Sequence, residues 1–225
     1  MMVRHEHERL QRRFGEIVEV SVSLAVVAGI LLAVANGPFV QVWTAGELGW
    51  APWNDLLLAI WLVTTIAVKL HLGFIGQTKA FHFMRYIYFL EGMAFICLNV
   101  LLHRFGGVTM MLALSIACSL CFSLPYGLAR TREYFRLSWH ELAQWHRGGL
   151  VLAAAVAPIA VLLYWCLRNQ DAKVRLVSDA ILGIWAGIMY MRFGLGNSLR
   201  DEACRHVPRW ARPIFGGNRV SQSEA

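Results

Sequence analysis

The stretch MRYIYFLEGMAFICLNVLL, residues 84–102, places a base, Arg85, and an acid, Glu91, inside a run of apolar side chains. If this run is a helix crossing a membrane, Glu91 lies near the midplane, and its short side chain reaches neither interface. Its carboxyl group must then be protonated, or must face protein or water with a partner. Arg85 is not that partner within the helix, because six residues put it about 120° around the axis and about 9 Å away. Arg85, Tyr88, Gly92 and Asn99 share one side of this helix with Glu91 at its shoulder. This arc is predicted to face the bundle, leaving Met93, Ile96 and Val100 toward lipid or an apolar neighbour.

Three cations accompany the acid. Lys69, Arg85 and Arg192 each fall about five or six residues inside the predicted cytoplasmic end of a helix, roughly 8–9 Å deep. Long basic side chains at that depth either snorkel to the headgroups or, being on three helices, ring a cavity open to the cytoplasm. Lys69 is separated from the Glu91 helix only by the short connection GQTK, which makes it the first candidate partner for Glu91. A second acid, Asp179, lies a few residues from the outer end of its predicted helix, where capping explains it. It shares a stripe with Gly183, Gly187, Tyr190 and Gly194, and Gly183 and Gly187 form a GxxxG face suited to close helix approach or to oligomer contacts.

The histidines offer a different chemistry. A b-type haem needs two histidines on facing helices, and His71 and His82, flanking the GQTK turn, are the best such pair, although both look shallow. Histidines tolerated where water is near account for the same pattern, and no cofactor is required by it. There is no His-x3-His spacing, no HExxH, no nucleophile elbow and no phosphate-binding or dinucleotide fingerprint, so no metal site is expected. Cys97, Cys118, Cys121 and Cys166 lie in apolar runs and Cys204 in the tail. CSLC has redox spacing without a thioredoxin-like setting, and Cys118 and Cys121 read as two small packing residues on one helix face.

The elements that must position these groups follow from hydropathy. The chain has 225 residues, 57% hydrophobic and 16% charged, against roughly 25% charged in soluble domains. Its mean hydropathy is +0.50. Apolar blocks about 20 residues long match a hydrocarbon core of roughly 30 Å. The expected fold is all-α: a polytopic integral membrane protein with six transmembrane helices. They are predicted near residues 16–36, 55–75, 80–103, 108–128, 149–167 and 176–199, with NGP ending the first and RFGG turning the third into the fourth. Residues 1–15 read as a charged cytoplasmic segment extending the first helix, and 200–225 as a cytoplasmic tail. The first block is too long for a cleaved signal and lacks a small-residue cleavage site.

Basic residues orient the spans. One side carries Arg4, Arg9, Arg12, Arg13, Lys79, Arg130, Arg132, Arg136, Arg147 and Arg200, and the other only Arg104, Arg168, Lys173 and Arg175. Both termini are thus expected in the cytoplasm, with the protein in the cell inner (plasma) membrane. The formal charge of +7 follows from the same bias and does not call for nucleic acid. Between the fourth and fifth spans, Phe135, Trp139, Leu142 and Trp145 recur at helical spacing. They predict an interfacial amphipathic helix that also carries His140 and His146. No internal repeat supports an inverted-repeat transporter.

These readings favour transport or conduction of a small solute, ion or proton through a buried charged site around Glu91, with no enzymatic signature. Two alternatives are a b-haem or quinone-linked redox subunit using His71 and His82, and a non-catalytic assembly protein docking partners through its GxxxG stripe. Glu91, Arg85, Lys69, Arg192 and Asp179 form the candidate charged set. The expected partners are the lipid bilayer and, through Gly183 and Gly187, a further copy of the chain or another subunit; nucleic acid is not one.

Overall fold

The computed structural model describes residues 2–47, 51–79, 81, 83–195 and 200, of which residues 2–5, 52 and 103 are described by their backbone alone. Apart from short connections these residues are helical, with no strand among them. The elements are α1 (Met2–Trp43), α2 (Pro52–Gln77), α3 (Met84–Cys121), α4 (Ser123–Phe135), α5 (Trp139–Gln144), α6 (Arg147–Leu167) and α7 (Ala172–Met189), followed by a π-helical turn, Tyr190–Gly194. Six stretches are long and apolar enough to cross a membrane: Glu6–Trp43, Trp53–Gln77, Met84–Leu102, Arg104–Phe135, Arg147–Leu167 and Ala172–Gly194.

α1 is the hub. α2 packs on one part of it and carries α3 and α4 on itself, and α6, α7 and the π-helical turn pack on another part. Two apolar clusters hold these contacts. Phe14, Val18 and Val22 of α1 meet Phe135, Leu137 and Leu142, while Val27 of α1 meets Leu152 and Val156 of α6 and Ala186 of α7.

Several boundaries differ from the sequence expectation, each for a local reason. The first helix does not stop at NGP but runs on through Pro38 to Trp43. A proline inside a helix removes one backbone donor, and here Pro38 is fully buried and held by its surroundings. Asn36 Nδ2 donates to Asp55 Oδ1 at 2.5 Å, and a Cβ on Gly37 would lie 3.1 Å from Asp55 Oδ2, so the start of α2 is clamped against this segment. α2 begins at Pro52, whose missing N–H is harmless in the first turn.

RFGG does turn the chain. Gly107 has φ 50° and ψ −131°, a backbone open to glycine and strained for other residues, and α3 there divides into two arms. The bonds from Ser119 and Ser123 back to Glu91 show the arms lying antiparallel. The fourth span extends past residue 128 to Phe135, with a backbone break at Phe122 (φ −112°, ψ −71°) between α3 and α4.

The predicted amphipathic helix is divided. Arg136 adopts a left-handed conformation (φ 55°) that ends α4, and Ser138 forms a capping box with Glu141 that starts the six-residue α5. Phe135 therefore belongs to α4 and is buried with Leu142, Trp139 is exposed, and His146 precedes α6 instead of sharing α5 with His140. The last helix starts at Ala172, earlier than expected, and its predicted end at 196–199 lies outside the described residues.

Candidate functional site

The predicted arc faces the bundle only in part: Glu91, Gly92 and Asn99 are half-buried, Arg85 and Tyr88 near the start of the helix are exposed, and Met93, Ile96 and Val100 are exposed as expected. The Glu91 carboxylate accepts a hydrogen bond from the Ser119 hydroxyl at 2.7 Å and a second from the Ser123 hydroxyl. These serines are four residues apart, on one helical side, and they straddle the break at Phe122. One carboxylate thus ties the returning arm of α3 and the first residue of α4 to the outgoing arm. The two charge-assisted bonds take one acceptor site on each oxygen and leave the rest of the carboxylate's capacity, and its charge, open to the cleft.

The acid lines a cleft of about 400 Å³. α2 contributes Thr65, Val68 and Lys69, the outgoing arm of α3 contributes Tyr88, Glu91, Gly92 and Phe95, and the returning arm with α4 contributes Ser115, Cys118, Ser119 and Ser123. Ser115 Oγ also accepts from Trp61 Nε1 at 3.2 Å, which joins α2 to the returning arm. The wall is therefore rich in hydroxyls, with one formal positive charge and one formal negative charge. Lys69 shares the cleft with Glu91, yet the two form no ion pair; the expected partner is replaced by the serines.

The other charged candidates do not gather here. Arg85 is the second residue of α3, so it lies in the first turn and is exposed. Lys69 is eight residues before Gln77 (77 − 69), about 12 Å from that helix end. Arg192 is exposed in the π-helical turn, which packs on α1, α6 and α7. The three cations therefore share neither a depth nor a cavity, and the ring they could have formed is not assembled. The early start of α7 puts Asp179 seven residues inside the helix (179 − 172), too deep to cap it, and its Oδ2 is enclosed without a hydrogen-bond partner. The predicted glycine stripe is only partly used. α7 buries Leu182 and Ala186, a Cβ on Gly183 would stand 3.7 Å from Leu31, and one on Gly187 would meet nothing within 4 Å. Cys118 is buried in the cleft wall whereas Cys121 is exposed, so the two do not pack alike.

A second polar site centres on His71, which is fully buried and not set in water. Its Nδ1 lies 3.0 Å from Thr131 Oγ1 and its Nε2 lies 3.4 Å from His146 Nε2. Both ring nitrogens therefore have protein partners. His82, the other member of the expected haem pair, lies outside the described residues. Phe14 meets the His71 ring edge-on at 5.9 Å, within an aromatic group that includes Phe74, Phe135 and Trp145. Burial holds the His146 imidazole below the usual histidine pKa range. α4 approaches α2 closely at this point. A Cβ on Gly127 would lie 3.1 Å from His71 Cβ and 3.3 Å from Leu72 Cγ.

Sequence reading missed Ser119, Ser123, Thr131 and His146 as partners. The sequence does carry a signal for most of them: Ser115, Ser119, Ser123, Gly127 and Thr131 recur every four residues. Against 3.6 residues per turn such a stripe drifts about 40° per step, and it winds from the Glu91 cleft to His71. Among the described residues no three His, Cys, Asp or Glu side chains gather as a metal-binding group.

Compared with family models, with curated proteins and with solved structures, the chain matches none. Its class is defined by its own residues: the described residues are helical apart from short connections, and among them six helices are long and apolar enough to span a membrane.

Proposed function

We propose that the protein is a multi-pass protein of the cell inner membrane, with both termini cytoplasmic, that binds and moves a small solute, ion or proton through the Glu91 cleft. The orientation rests on the bias of Arg and Lys toward one set of loops. One observation carries the function: an acid within a mainly apolar span lines a hydroxyl-rich cleft and bonds to serines on either side of the kink at Phe122. Ionisable groups inside spans are costly, by about 2.5–3.5 kcal/mol on insertion scales, and mark solute or proton pathways.

In this reading the carboxylate form of Glu91 holds Ser119 and Ser123 by accepting from both hydroxyls. Protonation replaces one acceptor position by a donor, and one of the two bonds must rearrange. That rearrangement falls beside Phe122, where the helix is already kinked. The test is flux in proteoliposomes as a function of pH. Glu91→Gln is expected to abolish the pH dependence while preserving the fold by circular dichroism. Full pH-dependent flux in this variant removes the role assigned to Glu91.

A further inference from the structure

The cleft places Lys69 on one wall and Glu91 on another and leaves them unpaired with each other. Such a site sorts small solutes by how their charges are arranged. A simple cation satisfies Glu91 but adds a like charge beside Lys69, and a simple anion does the reverse. A molecule carrying both charges satisfies both walls and leaves the cleft neutral.

The polarity of the site also has a direction. Tyr88 and Phe95 stand three residues before and four after Glu91, on the same side of the same helix, and both line the cleft. Acid and aromatic rings together favour an ammonium group at this pole, since ring faces attract cations. Lys69 on the facing helix supplies the anion-binding pole, and Thr65, beside it in the wall, adds a neutral hydroxyl. A volume of about 400 Å³ is at the low end for ligand pockets, roughly 300–1,000 Å³, which fits a solute of amino-acid size.

We infer that the cleft binds a small zwitterion, with its ammonium at Glu91 and its carboxylate at Lys69. This rests on reading the cleft as a solute site, and binding is separable from flux. The experiment is titration calorimetry on full-length protein in detergent with glycine, β-alanine and 4-aminobutyrate, which differ in charge separation. Methylamine and acetate at equal ionic strength are the comparisons.

At least one of the three zwitterions is expected to bind about tenfold or more tightly than either singly charged probe, the gain from a second charge-assisted contact. Lys69→Met is expected to erase the preference over methylamine, and Glu91→Gln the preference over acetate. Both changes are in selectivity, which a merely unfolded variant does not show. Methylamine or acetate binding as tightly as the best zwitterion overturns the inference, as does folded protein that binds none of the three. Zwitterion binding without flux in proteoliposomes removes the transport reading and leaves this one standing. Glu91-dependent flux of protons or metal ions, with no zwitterion bound, does the opposite.

Discussion

Thr131→Val tests whether the His71 site is a hydrogen-bonded unit or a chance of packing. Valine keeps the branched shape of threonine and deletes the hydroxyl that stands 3.0 Å from His71 Nδ1. His71 and Thr131 are both fully buried, so the freed ring nitrogen finds neither water nor another donor or acceptor in place. Leaving a buried polar group unsatisfied costs about 1–3 kcal/mol. Interhelical hydrogen bonds in membranes average only about 0.6 kcal/mol, because the unfolded reference state also finds partners. The complete enclosure of His71 puts the expected loss in the upper of these ranges.

The assay is unfolding in mixed micelles titrated with SDS, followed by helical circular dichroism. A second background gives the coupling. In His71→Phe, whose ring suits the surrounding Phe14 and Phe74, the valine substitution is expected to be nearly neutral, since no ring nitrogen remains to be satisfied. A Thr131→Val cost below about 0.5 kcal/mol, or the same cost in both backgrounds, would falsify the bonded-unit account.

Two further outcomes follow from the same region. Because burial lowers the folded-state pKa of His146 beneath its unfolded value near 6.5, the unfolded chain binds the proton first. Its contribution to stability is present above that value and lost as pH falls through the folded pKa. Replacing His146 by glutamine is expected to remove up to one proton, about 1.4 kcal/mol per pH unit, from the acid slope of stability; an unchanged slope between pH 6.5 and 5 refutes this. Gly127→Val forces methyl groups into the 3.1 Å gap to His71 and drives α4 from α2, with an overpacking cost of about 1–3 kcal/mol in the same unfolding assay. A neutral result there means the two helices separate freely.

The long apolar runs made six candidate spans legible, and periodicity around the helix placed Glu91 inward and Met93, Ile96 and Val100 outward, though Arg85 and Tyr88 of the same arc are exposed. The short GQTK connection likewise brought Lys69 and Glu91 into one cleft. What stayed hidden has physical reasons. Serine and threonine are tolerated throughout apolar helices, so Ser119, Ser123 and Thr131 carried no cost to flag them, unlike a charge. Depth along a helix says nothing about which face a residue occupies, and this is why His71, near a helix end, was read as wet although α4 and α1 enclose it. Proline after glycine reads as a helix stop, but α1 stays helical through it, with Asn36 bonded to Asp55 beside it.

α1 precedes every other helix in the chain and touches both halves of the bundle. Because α1 is N-terminal to the helices that pack on it, each later hairpin meets a surface that is already present. The halves are therefore ordered in time as well as in space: α2 packs on α1, and α3 and α4 on α2, while α6 and α7 are still unmade, and the Glu91 cleft closes without them. A chain interrupted between Leu167 and Ala172 keeps that cleft complete and leaves on α1 the apolar face, centred on Val27, that α7 would have covered.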